Sequence, residues 1–197
     1  MIPYPDYSKA TNAAYAVLLE RQSFSLSTNV FAIVDDVLDN CRLITYGQAC
    51  TVYSYAKEML CEVSEFGFSI VSGKRRIILY NEDMPLASIR FTIAHEIGHA
   101  VLLHSDEHDD NAEKEANCFA RNLLCPIPVV VRFGLETISE YVGTFDVSMQ
   151  MASVAVDKRP CDHYNITNAL FTAIASRLDM YLLGFDCIEV DQKHLAS

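Results

Sequence analysis

Two histidines and a glutamate set the first question. They lie in Phe91-Thr92-Ile93-Ala94-His95-Glu96-Ile97-Gly98-His99. Four residues along an α-helix turn about 400°, so His95 and His99 point within about 40° of each other on one face. Two imidazoles one turn apart can bind a single zinc ion from the same side. Glu96 is turned about 100° from His95, beside that site, where its carboxylate can take a proton from water. Such a string arises by chance in about one chain in a hundred of this composition. Decoration of a helix by three polar residues is therefore the weaker reading.

A site of this kind needs a third protein ligand. A glycine three residues after His99 and a histidine six after it would supply one, but Leu102 and Ser105 stand there. His104 lies about 140° round the helix from His99 and is expected to solvate its C-terminus. His108 falls at no useful spacing. The better source is Glu113-Lys114-Glu115-Ala116-Asn117-Cys118-Phe119-Ala120. On a helical wheel Glu113 shares its face with Ala116, Asn117, Ala120 and Leu124. Small residues there, with Gly98 opposite, would let two backbones approach closely. Glu115 points roughly 160° away. Glu113 is the expected ligand and Glu115 its rival.

These side chains need a scaffold. Helical spacing predicts helices over residues 5–20 and 29–38, the second capped by Asn29. The stretch from Cys41 to Leu60 reads either way. Phe66 to Val71 and Arg76 to Tyr80 flank Ser72-Gly73-Lys74 as a hairpin, with Lys74, Arg75 and Arg76 expected at its solvated tip. Helices follow over residues 87–104 and 112–124, separated by a polar loop and stopped by Pro126 and Pro128. Further helical patterns cover 135–142, 148–156 and 165–179, and a short strand is expected over 182–190. The order of elements gives an α+β class, mostly helical with a small antiparallel hairpin. Two units are expected, residues 1–128 and a C-terminal helical module, 129–197.

Composition narrows the rest. The 197 residues carry a net charge of −11, from 15 Lys+Arg against 26 Asp+Glu. That balance disfavours direct binding to nucleic-acid phosphates, which rests on Lys and Arg. The longest apolar run, Ala13 to Leu19, is seven residues, far short of the roughly 20 a membrane helix needs. The start lacks the basic region of a secretory signal, so a soluble cytoplasmic protein is expected. Seven cysteines with no CxxC pair read as reduced, packed thiols.

The chain resembles the ImmA/IrrE-type zinc metallopeptidases. The likeness rests on Arg90 to His99, then Glu113-x-x-Ala116-x-x-Phe119-Ala120-x-x-Leu123-Leu124-Cys125-Pro126, with Cys125 where the family commonly has methionine. It covers about residues 66–128. The resemblance implies a zincin-like domain with one Zn2+ held by His95, His99 and Glu113, and Glu96 as catalytic base. It also implies a cytoplasmic endopeptidase that cuts a helix-turn-helix repressor and so derepresses genes of a phage or mobile element. The rival expectation is a non-enzymatic, zinc-stapled regulator. A structural zinc usually fills all four positions with Cys or His, which weighs against it.

Two further segments carry expectations. Ile138 to Ser148 reads as the turn of a helix-turn-helix with Ser148 as cap. Its would-be reading helix, Ser148 to Asp157, has no Lys or Arg, and residues 126–197 hold five basic and nine acidic side chains. Packing or repressor docking is the better reading. The acidic loop Asp106-Glu107-His108-Asp109-Asp110 is the candidate surface for a basic repressor.

Overall fold

Asp6 and Asn29 begin the first two helices in the same way. Each side-chain oxygen accepts from a backbone N–H three residues on, so α1 (Tyr7–Glu20) and α2 (Val30–Val37) start at a cap. The structure is a computed structural model that describes residues 4–21, 23–54, 56–73, 75–104 and 109–185. The undecided stretch becomes β1 (Cys41–Thr45), α3 (Tyr46–Tyr53) and the first part of α4 (Lys57–Val63). Thr45 and Gln48 form a reciprocal capping box at the start of α3.

The hairpin forms as expected, from β2 (Gly67–Ser72) and β3 (Arg75–Tyr80), which pair antiparallel. Residues 41–45 add a third strand: β1 runs parallel to β3, so the sheet order is β1-β3-β2. This leaves β2 as an outer strand. Arg76 is not at a solvated tip. Its guanidinium donates to Ser69 Oγ at 2.6 Å and to the His104 carbonyl at 3.4 Å.

Two glycines set how closely the next helices approach. A Cβ on Gly67 would meet the Leu79 carbonyl oxygen at 2.6 Å and Thr92 Cγ2 at 2.7 Å, so α5 (Leu86–Val101) lies directly on the hairpin. A Cβ on Gly98 would sit 3.2 Å from Ala116 Cα and 3.1 Å from Phe119 Cδ1. Helix α6 (Asp110–Leu124) therefore packs against α5 backbone to backbone, through the small residues the wheel singled out.

Pro126 and Pro128 do more than stop α6. They open α7 (Ile127–Phe133), where a missing N–H in the first turn has no cost. Then come α8 (Ile138–Phe145), α9 (Met149–Asn165) and α10 (Asn168–Leu182). Helix α9 outruns its expected end and passes through Pro160. The extension carries Asp162, which pairs with Arg121 of α6 at 2.6 and 2.7 Å. Of the expected strand, Leu182 ends α10 and Gly184 turns with φ +77°; Asp186 onward lies outside the described residues.

One core cluster runs from Ala10 and Tyr15 through Ile33, Ile78, Ile93 and Phe119 to Phe145, Ile174 and Leu178. It joins all of α1, α5, α6 and the last three helices. Arg90 of α5 fastens the α8–α9 turn, donating to the carbonyls of Thr28, Phe145 and Asp146. Asp146 there is left-handed, with φ +52°. None of the described helices is long and apolar enough to cross a membrane. The six described cysteines are unpaired; Cys118 and Cys125 are buried as expected, whereas Cys161 is exposed.

The Arg121–Asp162 pair gives a first prediction. Their side chains are 11% and 4% exposed, so removing one partner strands a buried charge. Asp162→Ala is expected to destabilise the fold by about 3–5 kcal/mol in urea unfolding. A loss under about 1 kcal/mol, the ceiling for an exposed pair, would show that solvent rather than the pair sets the energetics there.

Candidate metal centre

Helix α5 presents His95 and His99 on one face, as their four-residue spacing requires. Their Nε2 atoms are 3.0 Å apart. Helix α6 brings Glu113 opposite, with Oε2 3.3 Å from His95 Nε2 and Oε1 3.4 Å from His99 Nε2. Among the described residues these three form a group that could hold a metal ion, their ligand atoms all within 4.8 Å of one another.

The spacing fits one small cation. Zinc bonds of about 2.0–2.1 Å in a tetrahedron put ligand atoms about 3.3 Å apart, and the three separations bracket that value. Burial, then the neighbouring His95, lowers the His99 pKa to about 4. His99 is thus neutral around pH 7, the form that offers a lone pair to a metal. The histidine side chains are 16% and 12% exposed, but Glu113 is 42% exposed. The centre therefore opens to solvent on the Glu113 side.

Glu96 is buried on the same helix, 8% exposed. Burial, and in lesser part the charge of Glu96, raises the pKa of Cys41 on β1 and of Tyr46 on α3.

Glu115 does not approach the histidine pair. Its Oε2 lies 3.1 Å from His104 Nε2, and its Oε1 accepts from the Asp6 backbone N–H at 2.7 Å. His104 itself departs from expectation. Helix α5 ends at Val101, and Leu103 turns left-handed with φ +59°. The chain then folds back and places His104 Nδ1 3.0 Å from His99 Nδ1. Its side chain is 9% exposed, so it does not solvate the helix end. The wheel angle failed because the helix stops before reaching residue 104.

Asn117 completes the surroundings, with Oδ1 3.1 Å from His95 Nδ1. It lies one turn after Glu113, so its place on the metal face was readable. Nothing in residue spacing pointed to His104, because a left-handed leucine leaves no sequence signal. Of the acidic loop, Asp106, Glu107 and His108 lie outside the described residues. Asp109 caps α6 by accepting from the Asn111 N–H, and Asp110 starts the helix.

Residues 57–154, about half of the chain, match the peptidase M78 family model, described as the IrrE N-terminal-like domain. The match begins at the first residue of α4, takes in the hairpin, α5 and α6, and ends within α9. A search among curated proteins finds no match to the chain.

Proposed function

The chain belongs to the IrrE N-terminal-like peptidase family, and on that premise we propose that it is a zinc-dependent endopeptidase. The observation that carries this reading is the convergence of His95, His99 and Glu113, with Glu96 buried one residue after His95 on the same helix. His95 and His99, through Nε2, and Glu113, through its carboxylate, would hold the zinc. Zinc bound there would polarise the scissile carbonyl and acidify water. Glu96 takes the proton from the attacking water and hands it to the leaving amine, one carboxylate serving both steps. The outer strand β2 offers unpaired backbone groups to an extended substrate, which can add to the sheet as a further strand.

The substrate we propose is a helix-turn-helix repressor in the cytoplasm, cleaved so that its genes switch on. A DNA-binding repressor presents a basic surface, and a chain of net charge −11 complements it. The test is incubation of the zinc-loaded protein with a helix-turn-helix repressor from the same genome, followed by mass spectrometry. Discrete fragments are expected, slowed by added salt. An intact repressor alongside efficient cleavage of an unrelated peptide would discard the substrate but keep the peptidase. Full zinc occupancy with no hydrolysis of either would leave the zinc-stapled regulator.

The choice of glutamate is tested separately. Glu113→Gln is expected to remove most zinc binding in a chelator competition, and Glu115→Gln to leave most of it. The reverse order would overturn the ligand set.

A further inference from the structure

We propose that His104 and Glu115 are positioning residues for His99: they form a hydrogen-bonded relay that fixes its tautomer and aims Nε2 at the metal. The inference rests on His99 being a ligand, as proposed above, and deepens that reading.

With Nε2 of His99 facing the cation, the neutral ring carries its proton on Nδ1. That N–H donates to His104 Nδ1, 3.0 Å away. His104 must then offer a lone pair at Nδ1 and carry its own proton at Nε2, which donates to Glu115 Oε2 at 3.1 Å. The remaining oxygen, Oε1, accepts from the Asp6 backbone N–H at 2.7 Å. Only this assignment gives each donor an acceptor. The relay ends on a residue that also caps α1 through Lys9, so the first helix is tied to a metal ligand.

The backbone is bent to make it. A left-handed leucine is disfavoured by its Cβ, and Leu103 is 88% exposed, so packing of its own side chain does not hold it there. What the turn delivers is His104, nearly buried, with both ring nitrogens bonded. Its backbone is held as well: the His104 N–H donates to the His99 carbonyl at 3.0 Å, and Arg76 of the hairpin reaches its carbonyl. His95 has a simpler support, the Asn117 amide oxygen.

The experiment compares the parent protein with His104→Phe, which fills the space but breaks the relay, and His104→Gln, whose amide can accept from His99 and donate to Glu115. Zinc affinity is measured by chelator competition, and the imidazole nitrogens and Nδ1 proton of His99 by 15N NMR on the zinc-loaded protein. His104→Phe is expected to weaken zinc binding about 10–100-fold and to expose the His99 Nδ1 proton to fast exchange with water. His104→Gln is expected to regain most of the affinity and the protected proton. Should His104→Phe not fold, Glu115→Ala must show the same two changes in smaller degree. Parent-like affinity and a protected proton in His104→Phe would overturn the relay, as would failure of His104→Gln to rescue a folded protein. Absence of zinc binding by the parent would instead overturn the metallopeptidase reading, so the two failures are distinct.

Discussion

Glu96→Gln is expected to keep about one zinc ion per chain and to lose proteolysis by about 10²–10⁴-fold, the usual contribution of a positioned acid–base group. The substitution changes little else. Glutamine matches the shape of glutamate and is as good a helix former, so α5 stays intact. Glu96 is turned off the face that carries His95 and His99, so their donor atoms remain 3.0 Å apart. What is lost is a base at a buried position, 8% exposed, where bulk water is a poor substitute. The loss falls on kcat with KM nearly unchanged, because the amide fills the same space and only proton transfer fails. Zinc content by atomic absorption and turnover of one peptide settle the outcome. Undiminished cleavage at full zinc occupancy would remove Glu96 from its role.

The sequence carried the candidate metal face because that face depends on helical periodicity alone. His95, His99, Glu113 and Asn117 sit at four-residue spacings on two helices, and Gly98 and Ala116 announced that the helices touch. The hairpin was legible for the same local reason, a Gly-centred turn between β-branched runs. What stayed hidden was tertiary. Strand β1 is defined by its parallel partner β3 across thirty-odd residues of chain, and its own five residues only half alternate in burial. Helix α9 runs past its expected end because Asp162 finds Arg121, a contact its own periodicity does not encode. His104 was misplaced by extrapolating a helix one turn too far, and Arg76 was left in solvent for want of its partner on that same turn. Errors gathered where the chain reverses, and two of them meet at residue 104.

Zinc should also act as a clamp between α5 and α6, and its removal should therefore be visible in stability. Binding to the folded state alone adds RT ln(1 + [Zn]/Kd), about 4.1 kcal/mol when free zinc is a thousandfold above Kd. For a chain of this size each kcal/mol moves Tm by about 2–4 °C, so loading should raise it by about 8–16 °C. The unfolded chain will compete, since seven cysteines and six histidines can bind zinc once exposed, and the observed shift lies towards the lower end. His99→Ala separates the two effects. It deletes a donor from the folded site but leaves the thiols of the unfolded chain untouched, so zinc should no longer raise Tm and should lower it slightly. Without metal the variant should be less stable than the parent as well, because His104 Nδ1, 3.0 Å from the missing ring, loses its partner in a nearly buried position. Differential scanning calorimetry of parent and variant, each with zinc and with chelator, gives all four values. A zinc-dependent rise in Tm that is as large in both His99→Ala and Glu113→Ala as in the parent would mean that the stabilising ion sits elsewhere, and the α5–α6 centre would have to be abandoned.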